Sequence, residues 1–351
     1  MALRLSVLDQ SPVPAGFTPT DALNNSLALA QHVDKLGYTR LWYSEHHAMD
    51  LLACTAPEIL IARAAAATQR IRVGSGGIML PHYAPLKVAE VFRTLHAMFP
   101  NRIDLGIGRA PGGGQLEAYA LRRDRSAAQK DDFPQQLAEL RAYLHPERFP
   151  ADHPFRNIRV APDAPGAPDV WLLGSSMWSA VTAANEGLPY AFAHFFSGNN
   201  TRQAIEYYRA NFQPSDARQA AEATAAVGVI TAPTEEEAQY LAASVRLLQR
   251  RIRMDDRRPV AAPDEALREL AALPTAPNPL IPFTAGKLDQ PEEGEWPRYF
   301  VGTPEKVAGQ LRAMAHDLEI NELIVNTITH SHEARLRSYT LLAEAMGQVS
   351  G

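Results

Sequence analysis

Two groups of polar residues in this sequence could do chemistry together. The first is the run Glu45-His46-His47, whose imidazoles can exchange protons near neutral pH. The second is the loop Gly174-Ser175-Ser176, which follows the apolar run 170–173 and precedes a helical pattern. A helix N-terminus exposes unpaired N–H groups and the positive end of its dipole, so such a loop can bind a phosphate. Arg109 adds a permanently charged planar fork that suits phosphate oxygens. These residues predict a phosphate-bearing ligand beside a proton-handling histidine.

Each of these residues also has a purely structural interpretation. Ser175 and Ser176 can cap the helix that follows, since serine is a favoured N-cap residue. Arg109 can pair with a carboxylate at the surface, and His46 can be a hydrogen-bonded side chain at the end of a half-buried strand. The segment Gly74-Ser75-Gly76-Gly77 interrupts a strand pattern, which predicts a bulge or the close approach of a flat ligand to the backbone.

Other catalytic chemistries find little support. The sequence has no His-x-His on its first strand and no His-Glu-x-x-His, so it predicts no metal site. Its single cysteine, Cys54, has no basic neighbour in the chain, and we interpret it as a packed, inert thiol. No Gly-x-Ser-x-Gly motif indicates a hydrolase. The lysines fall in helical or loop patterns, which disfavours a strand-end Schiff base; they are Lys35, Lys87, Lys130, Lys287 and Lys306.

Composition narrows the class of protein. Of the 351 residues, 46% are hydrophobic and 21% charged, which is ordinary for a globular protein. The formal net charge is -5 and the basic residues are scattered, so neither a nucleic acid nor a membrane surface is expected as the main partner. No segment approaches the roughly 18 apolar residues of a membrane span. The N-terminus lacks the charged-then-apolar layout of a signal peptide, so we expect a cytoplasmic protein.

Short β-rich runs alternate with helical periodicity along the chain, a pattern typical of βαβ units. Eight alternations, with no all-β or all-α block, predict one α/β domain over residues 1–351 that forms a parallel, eight-stranded (β/α)8 TIM barrel. Carboxyl ends of barrel strands converge at one mouth, which would bring the polar residues together. Four more polar residues lie at predicted strand ends, namely Gln10, Ser11, His194 and Thr327. The predicted strands are Leu3–Leu8, Thr39–Ser44, Ile71–Leu80, Arg102–Ile107, Asp169–Leu173, Pro189–Phe195, Thr224–Thr231 and Glu322–Ile328.

Two stretches depart from the alternation. A long polar connection separates the fourth strand from a helix that begins near Phe133. Residues 253–299, before the last strand, are rich in charge and proline. This insertion is either a solvated surface segment or a lid over the mouth, and the pattern does not decide between them.

Taken together, the strand-end segments resemble the luciferase-like monooxygenase superfamily, of which bacterial luciferase (alkanal monooxygenase) is a member. The likeness runs from the first strand to about residue 233 and resumes at about residue 300. The segments that carry it are Leu41-Trp42-Tyr43-Ser44-Glu45-His46-His47, Arg72–Pro81, Arg102–Arg109, Trp171-Leu172-Leu173-Gly174-Ser175-Ser176 and Val301–Val307.

The resemblance implies an enzyme that takes reduced FMN from a separate NAD(P)H:flavin reductase. In the family, the flavin reacts with O2 to give a C4a-hydroperoxide that oxygenates an aldehyde or similar small organic substrate. The likeness assigns His46 to acid–base catalysis, for which we expect an imidazole that titrates near neutral pH. It assigns Arg109 and the loop Gly174-Ser175-Ser176 to the phosphate, and Gly76 and Gly77 to a cis peptide beneath the flavin ring. The family's usual assembly implies a homodimer.

Some features leave other functions open. Gly108 stands where the luciferase α subunit has a reactive cysteine, so light emission is not expected. The insertion matches no segment of the family, which leaves the substrate pocket undefined. An F420-dependent hydride-transfer enzyme, a non-catalytic flavin-binding barrel and a metal-dependent barrel hydrolase are the alternatives. The run Glu45-His46-His47 favours a catalyst over a carrier.

Overall fold

The structure is a computed structural model that describes residues 3–121, 131–215, 218–272, 291 and 294–348. Its strands are β1 (Arg4–Asp9), β2 (Arg40–Tyr43), β3 (Arg72–Met79), β4 (Ile103–Gly108), β5 (Asp169–Gly174), β6 (Tyr190–Phe192), β7 (Ala223–Thr231), β8 (Tyr299–Gly302) and β9 (Glu322–Asn326). The helices of the described residues are α1 (Pro19–Lys35), α2 (Pro57–Ala67), α3 (Pro85–Met98), α4 (Gln115–Leu121), α5 (Phe133–Leu144), α6 (Met177–Glu186), α7 (Thr201–Asn211), α8 (Glu235–Arg253), α9 (Pro263–Ala272), α10 (Pro304–Asp317) and α11 (His332–Met346).

Eight of the strands close into a ring. Strands β1 to β7 pair in chain order, and β9 closes the ring by pairing with both β7 and β1. All these pairs are parallel, so the predicted (β/α)8 TIM barrel is confirmed. The extra strand β8 pairs with the carboxyl end of β7, outside the ring. The sequence pattern predicted no strand at this place, where the insertion meets the following helix, and that prediction was wrong.

Apolar side chains fill two regions, one between the strands and the helices and one inside the ring. The interior also holds a buried ion cluster at the amino ends of the strands. The Arg40 guanidinium donates to Asp104 at 2.9 Å and to Glu322 at 2.6 Å, so each buried charge is paired. This cluster closes the bottom of the barrel, and the candidate site lies at the opposite mouth. No helix of the described residues is long and apolar enough to span a bilayer.

The two irregular stretches contain helices that periodicity missed. The long polar connection carries α4, which buries none of its side chains and so shows no amphipathic pattern. The insertion carries α9, which packs on α8 through a small apolar cluster. The members of this cluster are Ala243, Leu247, Ala261, Ala266 and Leu270.

The start of the insertion is fixed to the barrel mouth. The Val260 N–H donates to the Val13 carbonyl at 2.9 Å, and the Ala15 N–H donates to the Val260 carbonyl at 2.8 Å. This part of the insertion is therefore not a free solvated segment. Residues 273–290 and 292–293 lie outside the described residues, so the lid over 253–299 stays a prediction.

Candidate active site

A cavity of about 730 Å³ opens at the carboxyl ends of the ring strands. Its volume lies within the range of about 300–1,000 Å³ that small-molecule sites occupy. The structure brings to its wall every residue that the family resemblance assigned to catalysis or to the flavin: His46, Gly76, Gly77, Arg109, Gly174, Ser175 and Ser176. These residues come from the ends of β2, β3, β4 and β5, as a parallel barrel requires.

The loop after β5 and Arg109 form one end of this cavity. Ser176 is the N-cap residue of α6, yet its side chain makes no capping hydrogen bond, so simple capping does not account for its hydroxyl. The Arg109 guanidinium carbon lies 3.9 Å from the centre of the Trp178 ring, and its Nη1 donates to Asp131 at 3.1 Å. Arg109 thus forms the surface ion pair that its structural interpretation predicted, and it also lines the cavity. The arrangement can hold an anion between a guanidinium and the free N–H groups of a helix N-terminus.

The glycines of β3 form the floor. The register between β3 and β4 shifts between Ser75 and Ile78, which is the predicted bulge, and the Gly76–Gly77 peptide is cis, as the family resemblance implied. A Cβ on Gly76 would lie 2.7 Å from Leu8 Cδ1 and 2.9 Å from Trp42 Cβ. Only glycine fits there, and the floor that faces the cavity is bare backbone.

His46 lies on the wall beside this floor. Its Nδ1 shares a hydrogen bond of 3.1 Å with the Ser44 hydroxyl, and its backbone N–H donates to the Cys54 carbonyl at 3.0 Å. Burial, with a smaller contribution from the charge of His47, lowers the pKa of His46 to about 4. Our expectation of an imidazole that titrates near neutral pH was therefore wrong for the free protein, because burial penalises the charged ring. At pH 7 the ring is neutral and can accept a proton.

The neighbours of His46 serve the framework of the site. The buried Glu45 carboxylate accepts from the Met79 N–H at 3.0 Å and from the Tyr83 hydroxyl at 2.8 Å, and it bonds His47 Nε2 at 2.7 Å. These bonds join the loop after β2 to the end of β3. His47 does not line the cavity, and its bond to Glu45 gives it a structural role.

The remaining strand-end residues divide between cavity and core. Gln10 lines the cavity. The Ser11 hydroxyl accepts from Ser26 at 2.8 Å, and the Thr327 hydroxyl donates to the Val229 carbonyl at 2.8 Å. His194 is buried between the Thr201 hydroxyl, at 2.7 Å, and the Pro297 carbonyl, at 3.1 Å. None of Ser11, Thr327 and His194 reaches the cavity wall.

The chemistries that we disfavoured gain no support from the described part of the chain. Within it, no three His, Cys, Asp or Glu side chains come together as metal ligands. Cys54 is buried, and burial followed by the nearby Asp9 charge raises the pKa of its thiol, so it is an inert packed group. Lys35, Lys87 and Lys306 lie on helices, while Lys130 and Lys287 lie outside the described residues.

Several cavity residues were not found by sequence reasoning. Trp178, which stacks on Arg109, lies in the first turn of α6. It follows the predicted loop by two positions, and this closeness in sequence could have identified it. Gln249, Ile252 and Arg257 reach the cavity from the end of α8 and the loop after it. The Arg257 guanidinium donates to the Ala48 carbonyl at 3.1 Å, which ties this loop across the mouth.

The sequence model of the luciferase-like monooxygenase family matches residues 3–322. Among curated proteins, the chain is 43% identical over 341 residues to the uncharacterized protein YwcH of Bacillus subtilis strain 168, covering 97% of this chain and 98% of that protein. It is 34% identical over 346 residues to the N-acetyl-S-alkylcysteine monooxygenase of the same organism, covering 98% of each.

Solved structures agree with these relatives. Apo-MsnO8 superposes with a TM-score of 0.88 at 45% identity, covering 100% of this chain and 99% of that one. The oxygenating constituent of 3,6-diketocamphane monooxygenase from Pseudomonas putida, in complex with FMN, has a TM-score of 0.69 at 19% identity and covers 98% and 97%. An F420-dependent secondary alcohol dehydrogenase has a TM-score of 0.64 at 14% identity and covers 100% of each chain. The last two likenesses establish the shared fold alone. The family match and the full-length relatives show that this chain belongs to the luciferase-like monooxygenase family.

Proposed function

We propose that this member of the family is a flavin-dependent monooxygenase that uses reduced FMN and O2 to oxygenate a small organic substrate. One observation carries the proposal: Arg109 with the helix N-terminus at Ser176, the bare glycine floor and His46 all line one cavity. FMN has a phosphate, a flat ring system and a redox centre that handles protons, so each feature of the cavity has a counterpart in the cofactor.

The phosphate end supports FMN over a flavin without a phosphate. Arg109 supplies a full positive charge, and the first turn of α6 supplies backbone N–H groups that no Ser176 side-chain cap occupies. Ser175 is half-buried and Ser176 exposed beside them. Residues 174–176 and Arg109 would hold the phosphate through charge-assisted hydrogen bonds.

The floor supports a planar ring. Gly76 and Gly77 present no side chain to the cavity, and a Cβ on Gly77 would lie 2.8 Å from the Gly106 carbonyl oxygen. A flat ligand can therefore lie against the peptide plane without displacing a side chain.

When bound, reduced FMN supplies the two electrons that activate O2. The part of this chain is to exclude water and to move a proton. His46 is neutral above a pKa of about 4, and Ser44 occupies its Nδ1. Its Nε2 is the ring nitrogen left to exchange a proton with a reacting group. The apolar lining lowers the local polarity and strengthens this interaction.

The source of reduced flavin is part of the proposal. We infer that a separate NAD(P)H:flavin reductase supplies it, and that the enzyme acts as a homodimer in the cytoplasm, as is common for the family. Co-expression with a flavin reductase tests the first point, and sedimentation tests the second.

The cofactor is tested by anaerobic titration with reduced FMN and, separately, with reduced F420. We expect saturable binding of reduced FMN and turnover with O2 when substrates are screened under reductase supply. Binding of F420 without FMN would replace the proposal by the hydride-transfer alternative, which the F420-dependent fold neighbour keeps open. Binding of FMN with no substrate turned over by the wild type would favour a non-catalytic flavin barrel.

A further inference from the structure

One wall of the cavity carries an amide that takes no part in the phosphate end, the glycine floor or the proton transfer at His46. Gln10 follows β1 directly, is half-buried and lines the cavity. Among the described residues its side-chain amide has no hydrogen-bond partner. A half-buried amide offers two donors and an acceptor and is stabilised when a partner occupies them.

Strand register places this amide within the inner layer of the site. Leu8 pairs with Trp42, and the Ser44 N–H continues the ladder by donating to the Asp9 carbonyl at 3.1 Å. Side chains two apart on a strand share a face, so Gln10 points the same way as Leu8, and Ser44 the same way as Trp42. All four line the cavity, which sets Gln10 beside Ser44 one layer above the floor.

This position is next to the candidate catalytic group. Ser44 holds Nδ1 of His46 at 3.1 Å, so the Gln10 amide and the His46 ring lie on the same side of the mouth. Strand β1 lies four strands from β5 in either direction around the ring of eight. Gln10 is therefore on the side opposite the loop at Ser175, away from the phosphate end.

The surroundings of Gln10 are apolar. Ile324 of β9 and Ile328 after it line the cavity, and Leu51 and Leu52 line it from the loop after β2. The charged residues of the cavity wall are Arg109, Asp255 and Arg257, which come from the ends of β4 and α8. An ionised group placed against these leucines and isoleucines would lose its hydration without a charged partner, whereas an uncharged oxygen needs only one donor.

We propose that Gln10 is a substrate-binding residue: its amide donates a hydrogen bond to an uncharged acceptor oxygen on an otherwise apolar substrate, beside His46. This rests on the proposed function in one respect, namely that the ligand of this wall is the substrate and not the flavin. It adds that recognition on this side depends on one neutral hydrogen bond and on apolar packing.

The test uses three probes built on one six-membered ring: cyclohexanone, the equally shaped methylenecyclohexane, which lacks the acceptor oxygen, and the slightly larger cyclohexanecarboxylate, which is charged. Binding is measured by saturation-transfer NMR titration of the full chain, with and without FMN. The variants are Gln10→Leu and the longer, flexible Gln10→Met, and the matched control is Gln203→Leu, an exposed site on α7. Thermal unfolding and the Kd for FMN are measured for each variant.

We expect wild type to bind cyclohexanone more tightly than either other probe. Loss of one neutral hydrogen bond should weaken the binding of cyclohexanone about 3- to 10-fold in both Gln10 variants. The affinity for methylenecyclohexane should be unchanged or higher. The control should keep the wild-type ratio of ketone to alkene. This ratio would not move if Gln10 were only structural, because a general distortion weakens both probes.

Four results would each overturn the proposal. In the Gln10 variants, they are equal weakening of ketone and alkene binding, an unchanged affinity for the ketone, or a changed affinity for FMN with an unchanged ratio of ketone to alkene affinity. The fourth is that the wild type binds none of the probes. Failure of the proposed function gives a different result. In that case FMN does not bind at all, while the ratio of ketone to alkene still depends on Gln10.

Discussion

Replacing Arg109 by alanine tests quantitatively whether this residue binds the phosphate of FMN. In the structure this guanidinium lies on Trp178 at 3.9 Å, and its side chain is 42% exposed and paired with Asp131. A hydrogen bond to a charged group contributes about 1.5–3 kcal/mol, and exposure and the competing carboxylate place this one near the lower end. A loss of about 1.5 kcal/mol corresponds to a roughly 10-fold rise in the Kd for FMN.

The assay compares FMN with riboflavin, which has the same ring system and no phosphate. Flavin fluorescence gives the Kd of each for wild type, Arg109→Ala and the control Arg258→Ala, an arginine whose partners are Asp256 and Glu269 and which does not line the cavity. Of these combinations, only the binding of FMN to the Arg109→Ala variant should weaken. If riboflavin weakens as much as FMN, Arg109 acts on the ring or the fold, and the assignment of the phosphate is refuted.

Three further predictions concern the histidines and the glycines. The variant His46→Ala should lower the rate of substrate oxygenation by at least about 100-fold with little change in the Kd for FMN, and an unchanged rate under saturating flavin would contradict its catalytic role. Burial lowers the pKa of His194 to about 4, whereas the unfolded ring titrates near 6.5; the folded protein should keep its full stability above pH 6.5 and lose on the order of 3 kcal/mol from this group as the pH falls to 4. Denaturant unfolding at each pH should show that the free energy of unfolding falls less steeply with falling pH in His194→Gln than in wild type. Parallel plots of this free energy against pH would show that His194 is not the cause. A Cβ on Gly174 would lie 2.4 Å from Ser179 Oγ, so Gly174→Ala should destabilise the fold by about 1–3 kcal/mol. The exposed Gly309 of α10 has no atom within 4 Å of such a Cβ, and Gly309→Ala should stabilise by about 0.5–1 kcal/mol; equal effects of the two changes would show that crowding is not the reason.

The ring was predictable because its signals are local. Each ring strand is a short apolar run that a helical pattern follows, and the mouth collects whatever polar residues stand at the ends. That rule by itself predicts that His46, Arg109 and Ser175 line one cavity, as they do. The same rule does not predict strand β8, because its four residues pair outside the ring. A (β/α)8 barrel needs eight ring strands and no ninth.

The rest depends on contacts between distant parts of the chain. Arg257 reaches the mouth by a bond to Ala48, a partner 209 positions away in sequence, and no spacing encodes such a bond. The pKa of His46 depends on how deeply the ring is buried, which the motif does not specify. Helix α9 was hidden by the proline-rich composition around it, although its own residues repeat with helical spacing.

The central claim is that FMN binds with its phosphate between Arg109 and the loop at Ser175 and with its ring on Gly76 and Gly77. A crystal structure of the protein grown with FMN tests it most directly. We expect phosphate density within hydrogen-bond distance of the Arg109 guanidinium and of residues 175–176, and ring density against the glycine floor. Flavin bound at another place on the barrel, or a phosphate directed away from Arg109, would contradict it.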